Sequence, residues 1–276
     1  MKKAMLLIVC LAFVSVAIAE EQPVNLLKSL QRSSWEIGPD AYYFQYKEPD
    51  MKETGYFYGV QAAYTYREWV PMFPTDEAGI KWMARIEGRF DWGVVNYDGG
   101  VTDPSTGAST PYSYDNIRDT TGEFRLLFGP DFPKATVVDT IYSGLGDRFL
   151  YDSKSGDPAS YDRQSHYLYL PVGVKTLRNF AGNWLISANA EFDLLLMGRQ
   201  STDLKDFGFG TIHNRQNSGY GIRGSVGFEH PGKDIDVSIE PFVRYWNIAK
   251  SEVDPSGGYE PKNNTTELGL DFIFRF

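Results

Sequence analysis

The sequence predicts an all-β fold: a transmembrane, up-and-down antiparallel β-barrel of ten strands. Three observations predict it. Apolar and polar residues alternate with period two along ten separate segments. The connections between those segments alternate between long and short. An apolar leader at the N-terminus marks the chain for export.

Composition is compatible with this reading. The 276 residues include 18 Tyr, 18 Phe, 6 Trp and 27 Gly, a mixture suited to strands and turns. Mean hydropathy is negative, which a barrel permits because only alternate residues face lipid. The formal net charge of −9 argues against nucleic acid as a partner and against anchoring by a basic patch. The single cysteine, Cys10, falls in the leader, so the mature chain has no disulfide and no cysteine metal site.

The leader occupies residues 1–19. Lys2 and Lys3 precede an apolar run from Ala4 to Val16, and Ala17-Ile-Ala19 supplies a small-x-small cleavage site. The run is short for a membrane helix. Residues 20–33 form a short periplasmic segment containing the amphipathic piece Val24–Leu30. The barrel is assigned to residues 34–276.

Its clearest strand is Lys81–Val95. Trp82, Ala84, Ile86, Phe90, Trp92 and Val94 alternate with Lys81, Arg85, Glu87, Arg89 and Asp91, without the three- and four-residue spacing of a helix. Asn183–Met197 repeats the pattern. The other segments are Trp35–Lys47, Gly55–Arg67, Thr121–Phe128, Thr136–Leu150, Ser165–Val174, Gly219–Phe228, Ile235–Ile248 and Thr265–Phe276. Pro39, Pro171 and Pro241 lie inside three of them, where proline marks an edge, end or bulge.

Tyr97–Asp119, Tyr151–Asp162, Gly198–Ser218 and Ser251–Asn264 read as long, polar outer loops. Gly129–Ala135, Lys175–Gly182 and Glu229–Lys233 read as short inner turns, an asymmetry that membrane barrels show. Glu48–Thr54 is short for an outer loop, and Glu68–Gly79 is long for an inner turn.

In the last segment Leu268, Leu270, Phe272, Phe274 and Phe276 share one face, opposite Glu267, Gly269, Asp271 and Arg275. A strand of this kind ending on phenylalanine resembles the closing strand of bacterial outer-membrane β-barrel proteins. Ser143–Leu150 and Tyr167–Gly173 are similar to recurring phrases of porin-like members. The resemblance implies location in the outer membrane of a Gram-negative cell envelope. It also implies contact with membrane lipid, and reading of Phe272, Phe274 and Phe276 by the barrel-assembly machinery.

The polar faces then define the lumen. Alternation assigns to it Arg85, Glu87, Arg89, Asp91, Glu123, Arg125, Glu191, Asp193, Arg223, Glu240, Arg244, Glu267, Asp271 and Arg275. Glu36, Asp40, Asp139, Asp147, Arg67 and Lys81 join them. Arginine predominates among the bases, as suits a fork of donors bridging carboxylates. Ten strands enclose a narrow space, so these side chains are expected to form a salt-bridged plug in place of a hydrophobic core. The outward aromatics Trp35, Tyr56, Tyr66, Trp82, Trp92, Trp184, Tyr220 and Tyr245 are expected at the membrane interfaces.

No chemical motif competes with this reading. Gly219-Tyr-Gly-Ile-Arg-Gly224 fits a dinucleotide pattern but continues into a strand instead of a helix. His166, His213 and His230 are dispersed, without metal-ligand spacing. Omptins, outer-membrane proteases, also use ten strands. However, Thr211 stands where their Asp-x-His pair needs an aspartate before His213, and Asp91 and Asp98 form no Asp-x-Asp pair. Ser165 and His166 point to opposite faces and cannot act as nucleophile and base. The expected role is non-enzymatic, without metal or cofactor: a structural or surface-binding barrel, or a narrow porin-like channel, whose ligand is a small solute or an extracellular molecule. An omptin-like or lipid-acting hydrolase at the rim, with His213 as its catalytic candidate, and a soluble periplasmic β-sandwich binding protein are the alternatives.

Overall fold

The computed structural model describes residues 26, 30–68, 80–102, 106, 108–153, 161–208, 210–254 and 258–276. The leader at 1–19, most of the segment 20–33 and nearly all of Glu68–Gly79 lie outside that set. The strands are β1 (Ser33–Lys47), β2 (Lys52–Glu68), β3 (Lys81–Thr102), β4 (Ser109–Pro133), β5 (Val137–Asp152) and β6 (Asp162–Asn179). They continue with β7 (Leu185–Asp203), β8 (Thr211–Gln216), β9 (Gly219–His230), β10 (Asp236–Ile248) and β11 (Asn263–Arg275).

All pairing is antiparallel, and β1 pairs with β11, so the sheet closes on itself. β8 and β9 lie in line against β7, pairing with Gly198–Asp203 and Leu185–Leu194 respectively, and together complete a barrel of ten strands. A two-sheet sandwich lacks this closing pair.

Several strands run further than their alternation suggests. The segment read at Thr121–Phe128 is the middle of a 25-residue strand. Most of Tyr97–Asp119 is paired backbone, with β3 and β4 matched as far as Thr102 and Ser109. Gly198–Ser218 likewise contains the end of β7, a short 3-10 turn and β8. Above the apolar belt both faces of these strands are polar, so the contrast that reveals a strand disappears while the hydrogen-bond ladder continues.

Proline is tolerated by losing one ladder locally. Pairing of β1 with β11 skips from Ile37 to Asp40 around Pro39. Similar gaps surround Pro130 on the β5 side, Pro171 on the β5 side and Pro241 on the β9 side. In each case the proline stays in register with its other neighbour: Pro39 with Val60, Pro130 with Trp82, Pro171 with Asp193 and Pro241 with Leu270.

The outward face carries an exposed apolar belt that includes Val60, Phe90, Leu126, Val172, Ile239 and Leu270. Phe272, Phe274 and Phe276 belong to this exposed face. Ring pairs lie toward both ends of the strands: Trp35 with Tyr64 and Trp82 with Phe128 at one, Tyr43 with Tyr56 and Tyr220 with Tyr245 at the other. Amphipathic rings in two such zones suit the two interfaces of a bilayer.

Inside, glycines make room for rings. Tyr169 lies over its cross-strand partner Gly146, and Tyr142 over Gly173. A Cβ at Gly146 would approach the Tyr169 ring to 2.1 Å, and one at Gly173 the Tyr142 ring to 2.3 Å. Gly146→Val should therefore displace Tyr169 and lower stability by about 1–3 kcal/mol, the usual range for overpacking. Gly224→Ala, whose Cβ would meet nothing nearer than 3.7 Å, should be close to neutral. Urea unfolding of the two variants in lipid checks the difference.

Candidate functional site: the lumen

Inward side chains stack in layers along the barrel axis. At the end where β1 begins and β11 ends, the buried leucines Leu26 and Leu30 pack against Val138 and Leu185, with Leu177 beside them. Lys81 Nζ donates to the Leu30 carbonyl at 3.1 Å. Above them is a cavity of about 220 Å³, and its wall is charged. Arg85 bridges Glu36 at 2.7 Å and Glu87 at 2.6 Å. Arg125 continues the chain from Glu87 at 2.8 Å to Glu191. Arg275 joins Asp236 at 3.2 Å and also Glu229, while Glu240 accepts a hydrogen bond from Ser225. Arg67 pairs with the buried Asp131 at 2.8 Å.

The next layer is fully buried. Arg223 reaches Glu123 at 2.5 Å, Asp193 at 2.7 Å and Glu191 at 3.1 Å, and its guanidinium lies 5.2 Å from the centre of the Tyr169 ring. Glu267 on β11 collects three arginines: Arg148 at 2.8 Å, Arg89 at 3.3 Å and Arg244 at 3.3 Å. Arg89 also holds Asp91 at 3.2 Å, and Arg244 lies 3.6 Å from Asp271. Tyr42 donates to Asp91 at 3.0 Å, as does Thr121 at 2.9 Å. This fits arginine's rigid fork, which can join several carboxylates where water is scarce.

Above the charges is an apolar layer. Phe44, Phe57, Val95, Ile117, Leu150 and Phe242 form one buried cluster with Tyr42 and Tyr46. Tyr167, Tyr169, Leu195, Trp246 and Ile248 form another. The expectation that charge replaces a hydrophobic core is thus corrected: an aromatic core fills the outer half of the lumen.

At the outer mouth a second charged group appears. Arg163 contacts Glu48 at 2.7 Å, Asp152 at 2.9 Å and Glu260 at 3.5 Å, with the centre of the Tyr46 ring 4.9 Å away. Outward neighbours at this level are polar, among them Lys52, Arg118 and Gln164, so the group lies above the apolar belt. Burial raises the Glu53, Asp119 and Asp152 carboxyls above the usual carboxylate range. Asp152 adds to the rise at Glu53 and Asp119, while Arg163 opposes it at all three. Burial pushes Glu260 up to about 7, against the pull of Arg163. Charge in this mouth is under-compensated.

Two assignments are reversed. Asp139 and Asp147 face outward, pairing with Lys134 at 3.3 Å and His166 at 3.4 Å. On β5 the outward face carries these two aspartates among Ile141, Leu145 and Tyr151, while Val138, Tyr142 and Leu150 lie inward with Arg148, so neither face is uniformly polar or apolar. Arg148 was missed for the same reason. Glu53, Asp119, Asp152, Arg163 and Glu260 were missed because they fall in or beside stretches read as loops or strand ends.

His213 and Ser201 are cross-strand partners on the exposed face of β7 and β8, with Ser201 Oγ 2.9 Å from His213 Nδ1. Asp203 engages Lys205 at 2.8 Å. Ser165 is buried and bonds Gln200 at 2.9 Å, while His166 is on the opposite, exposed face.

No protein-family model and no curated protein matches the chain. Among solved structures it is similar to the outer membrane protease OmpT of Escherichia coli, at 10% identity over 88% of this chain and 96% of that one, with a TM-score of 0.53. The chain has the fold of an outer-membrane β-barrel protein. The barrel is also similar to Neisserial surface protein A, at 10% identity over 89% of this chain and 100% of that one, TM-score 0.35. A further similar structure is Ail, the attachment invasion locus protein of Yersinia pestis, at 14% identity over 89% and 100% of the two chains, TM-score 0.30.

Removing Glu267 should expose how the barrel depends on this network. Glu267→Gln leaves three buried guanidiniums without their shared carboxylate, and should cost about 3–5 kcal/mol in urea unfolding. Glu240→Ala, which loses the one hydrogen bond accepted from Ser225, should cost about 1 kcal/mol.

Proposed function

We propose that this protein is an integral outer-membrane β-barrel with a sealed lumen, which acts through its outer end as a structural or surface-binding element. The contact between Arg148 and Glu267 carries the proposal. They meet at 2.8 Å, yet β5 and β11 are five strands apart in the ring of ten, on opposite sides. The aromatic layer above and the leucines at the inner mouth oppose passage on the same axis. The exposed apolar belt and its aromatic girdles support contact with outer-membrane lipid. Phe272, Phe274 and Phe276 are available on that surface to the barrel-assembly machinery during insertion. An extracellular ligand, bound by the paired tops of β3 and β4 or by the neighbouring loops, is the partner this arrangement favours. A small solute in transit would have to displace several buried ion pairs, so the narrow porin-like role is the weaker form of the proposal. Reconstituted protein in planar bilayers should give no unit conductance; regular steps of one size would sink the sealed-lumen reading.

A second reading, a hydrolase at the rim, rests on the 2.9 Å contact between Ser201 and His213, a distance at which an imidazole can accept a hydroxyl proton. If ester or peptide hydrolysis is found, His213→Ala and Ser201→Ala should each abolish it. Activity retained by either variant removes this reading.

A further inference from the structure

Glu53 of β2, Asp119 of β4 and Asp152 of β5 converge at the outer mouth. Each offers a carboxylate oxygen, and these oxygens lie within 4.8 Å of one another. Glu53 is 2% exposed, Asp119 1% and Asp152 7%. Such a cluster alone says little, because acids can share protons. A second observation separates this one from an ordinary cluster: Asp119 Oδ2 and Glu53 Oε2 are buried and receive no hydrogen bond. The other oxygen of Asp119 accepts the Ser153 amide at 3.4 Å, so this side chain is anchored with its free oxygen unsatisfied.

Arg163 is the one cation bonded to the group among the described residues, and it is already divided. Its Nη1 serves Glu48 and Glu260, and its Nη2 serves Asp152 at 2.9 Å and stands 3.8 Å from Glu53. It makes no ion pair with Asp119. Five carboxyl groups therefore surround one guanidinium. A buried carboxylate without donor or counter-ion is costly.

We propose that Glu53, Asp119 and Asp152 bind a divalent cation, and that Ca²⁺ is the ion that fits. The donors are all oxygen, the set that hard cations prefer and that zinc and copper do not require. Ca²⁺ takes oxygens at about 2.3–2.6 Å in flexible geometry. Three oxygens within 4.8 Å of one another can all reach one such ion. Mg²⁺ demands a smaller, near-octahedral shell, which three carboxylates fixed by separate strands supply less readily. Bound Ca²⁺ would tie the outer ends of β2 and β5 to β4, which continues past the site in its hairpin with β3. The ion gives Asp119 Oδ2 the partner it lacks, while Arg163 continues to balance Glu48 and Glu260.

The test uses the full mature chain folded in detergent micelles and stripped with a chelator. Terbium is the probe, excited through neighbouring tyrosines such as Tyr46, with Ca²⁺ as competitor. Sensitised emission should appear and be displaced by Ca²⁺, and Ca²⁺ should raise the thermal midpoint of the barrel. Asp119→Asn and Glu53→Gln should each weaken Ca²⁺ binding by at least about tenfold. Both remove a repelling charge, so both should retain the altered gel mobility of an unheated barrel and lose the Ca²⁺-dependent rise in midpoint. Glu36→Gln, at the opposite end, should bind Ca²⁺ as the unaltered protein does. The site is overturned if Ca²⁺ has no effect on the unaltered protein up to about 10 mM, beyond the weak range for extracellular sites. Equal Ca²⁺ affinity in folded Asp119→Asn and Glu53→Gln would overturn it as well.

Discussion

The rest of this barrel depends on how its interior neutralises charge. A closed ten-stranded sheet leaves an axial space too narrow for bulk water and too polar, in this sequence, to collapse as oil. Arginine resolves the conflict by bridging. Glu267 alone gathers guanidiniums from β3, β5 and its neighbour β10, so β3 and β5, which share no hydrogen-bond ladder with β11, are tied to it across the interior. The cylinder is stabilised along its wall by backbone pairing and through its middle by ions. Removing one partner of such a network leaves uncompensated charge.

The layers above and below give this network its surroundings. The aromatic layer limits water from the outside, and Leu26 and Leu30 close the inner mouth. Exclusion of water strengthens each ion pair it surrounds, so the apolar and charged layers reinforce one another. Gly146 and Gly173 make this possible on the scale of single atoms. They let tyrosine rings lie flat against the wall, from where Tyr169 reaches Glu123 at 2.6 Å and Tyr142 reaches Glu191 at 2.8 Å.

Much of the fold was legible because period-two alternation is strong wherever one face meets lipid. Ten strands and their order emerge from that pattern, and the closing strand Thr265–Phe276 is its plainest instance. Legibility failed where the contrast failed. β5 mixes polar and apolar side chains on both faces, with Asp139 and Asp147 beside Ile141 and Leu145 outward and Arg148 beside Tyr142 and Leu150 inward, so the two aspartates were placed on the wrong face and Arg148 was overlooked. The outer ends of β3, β4, β7 and β8 are polar on both faces and read as loops. That misreading concealed most of the acidic mouth, since Asp119 and Asp152 each fell at the margin of such a stretch. The aromatic core was hidden differently: Tyr42, Phe44 and Tyr46 share the inward face of Glu36 and Asp40, but the charged members of that face alone were taken to fill the lumen.

The four proline gaps have a mechanical meaning for the cylinder as a whole. They fall in four different ladders, β11–β1, β4–β5, β5–β6 and β9–β10, so no ladder loses more than one short stretch. At the seam where the two ends of the chain meet, the Phe272 carbonyl leans over Gly38 so closely that a Cβ there would sit 1.6 Å away. A hoop with its slack divided among four joints can become oval without parting at any of them. The circumference itself stays closed through the β1–β11 ladder, which pairs on both sides of its own gap.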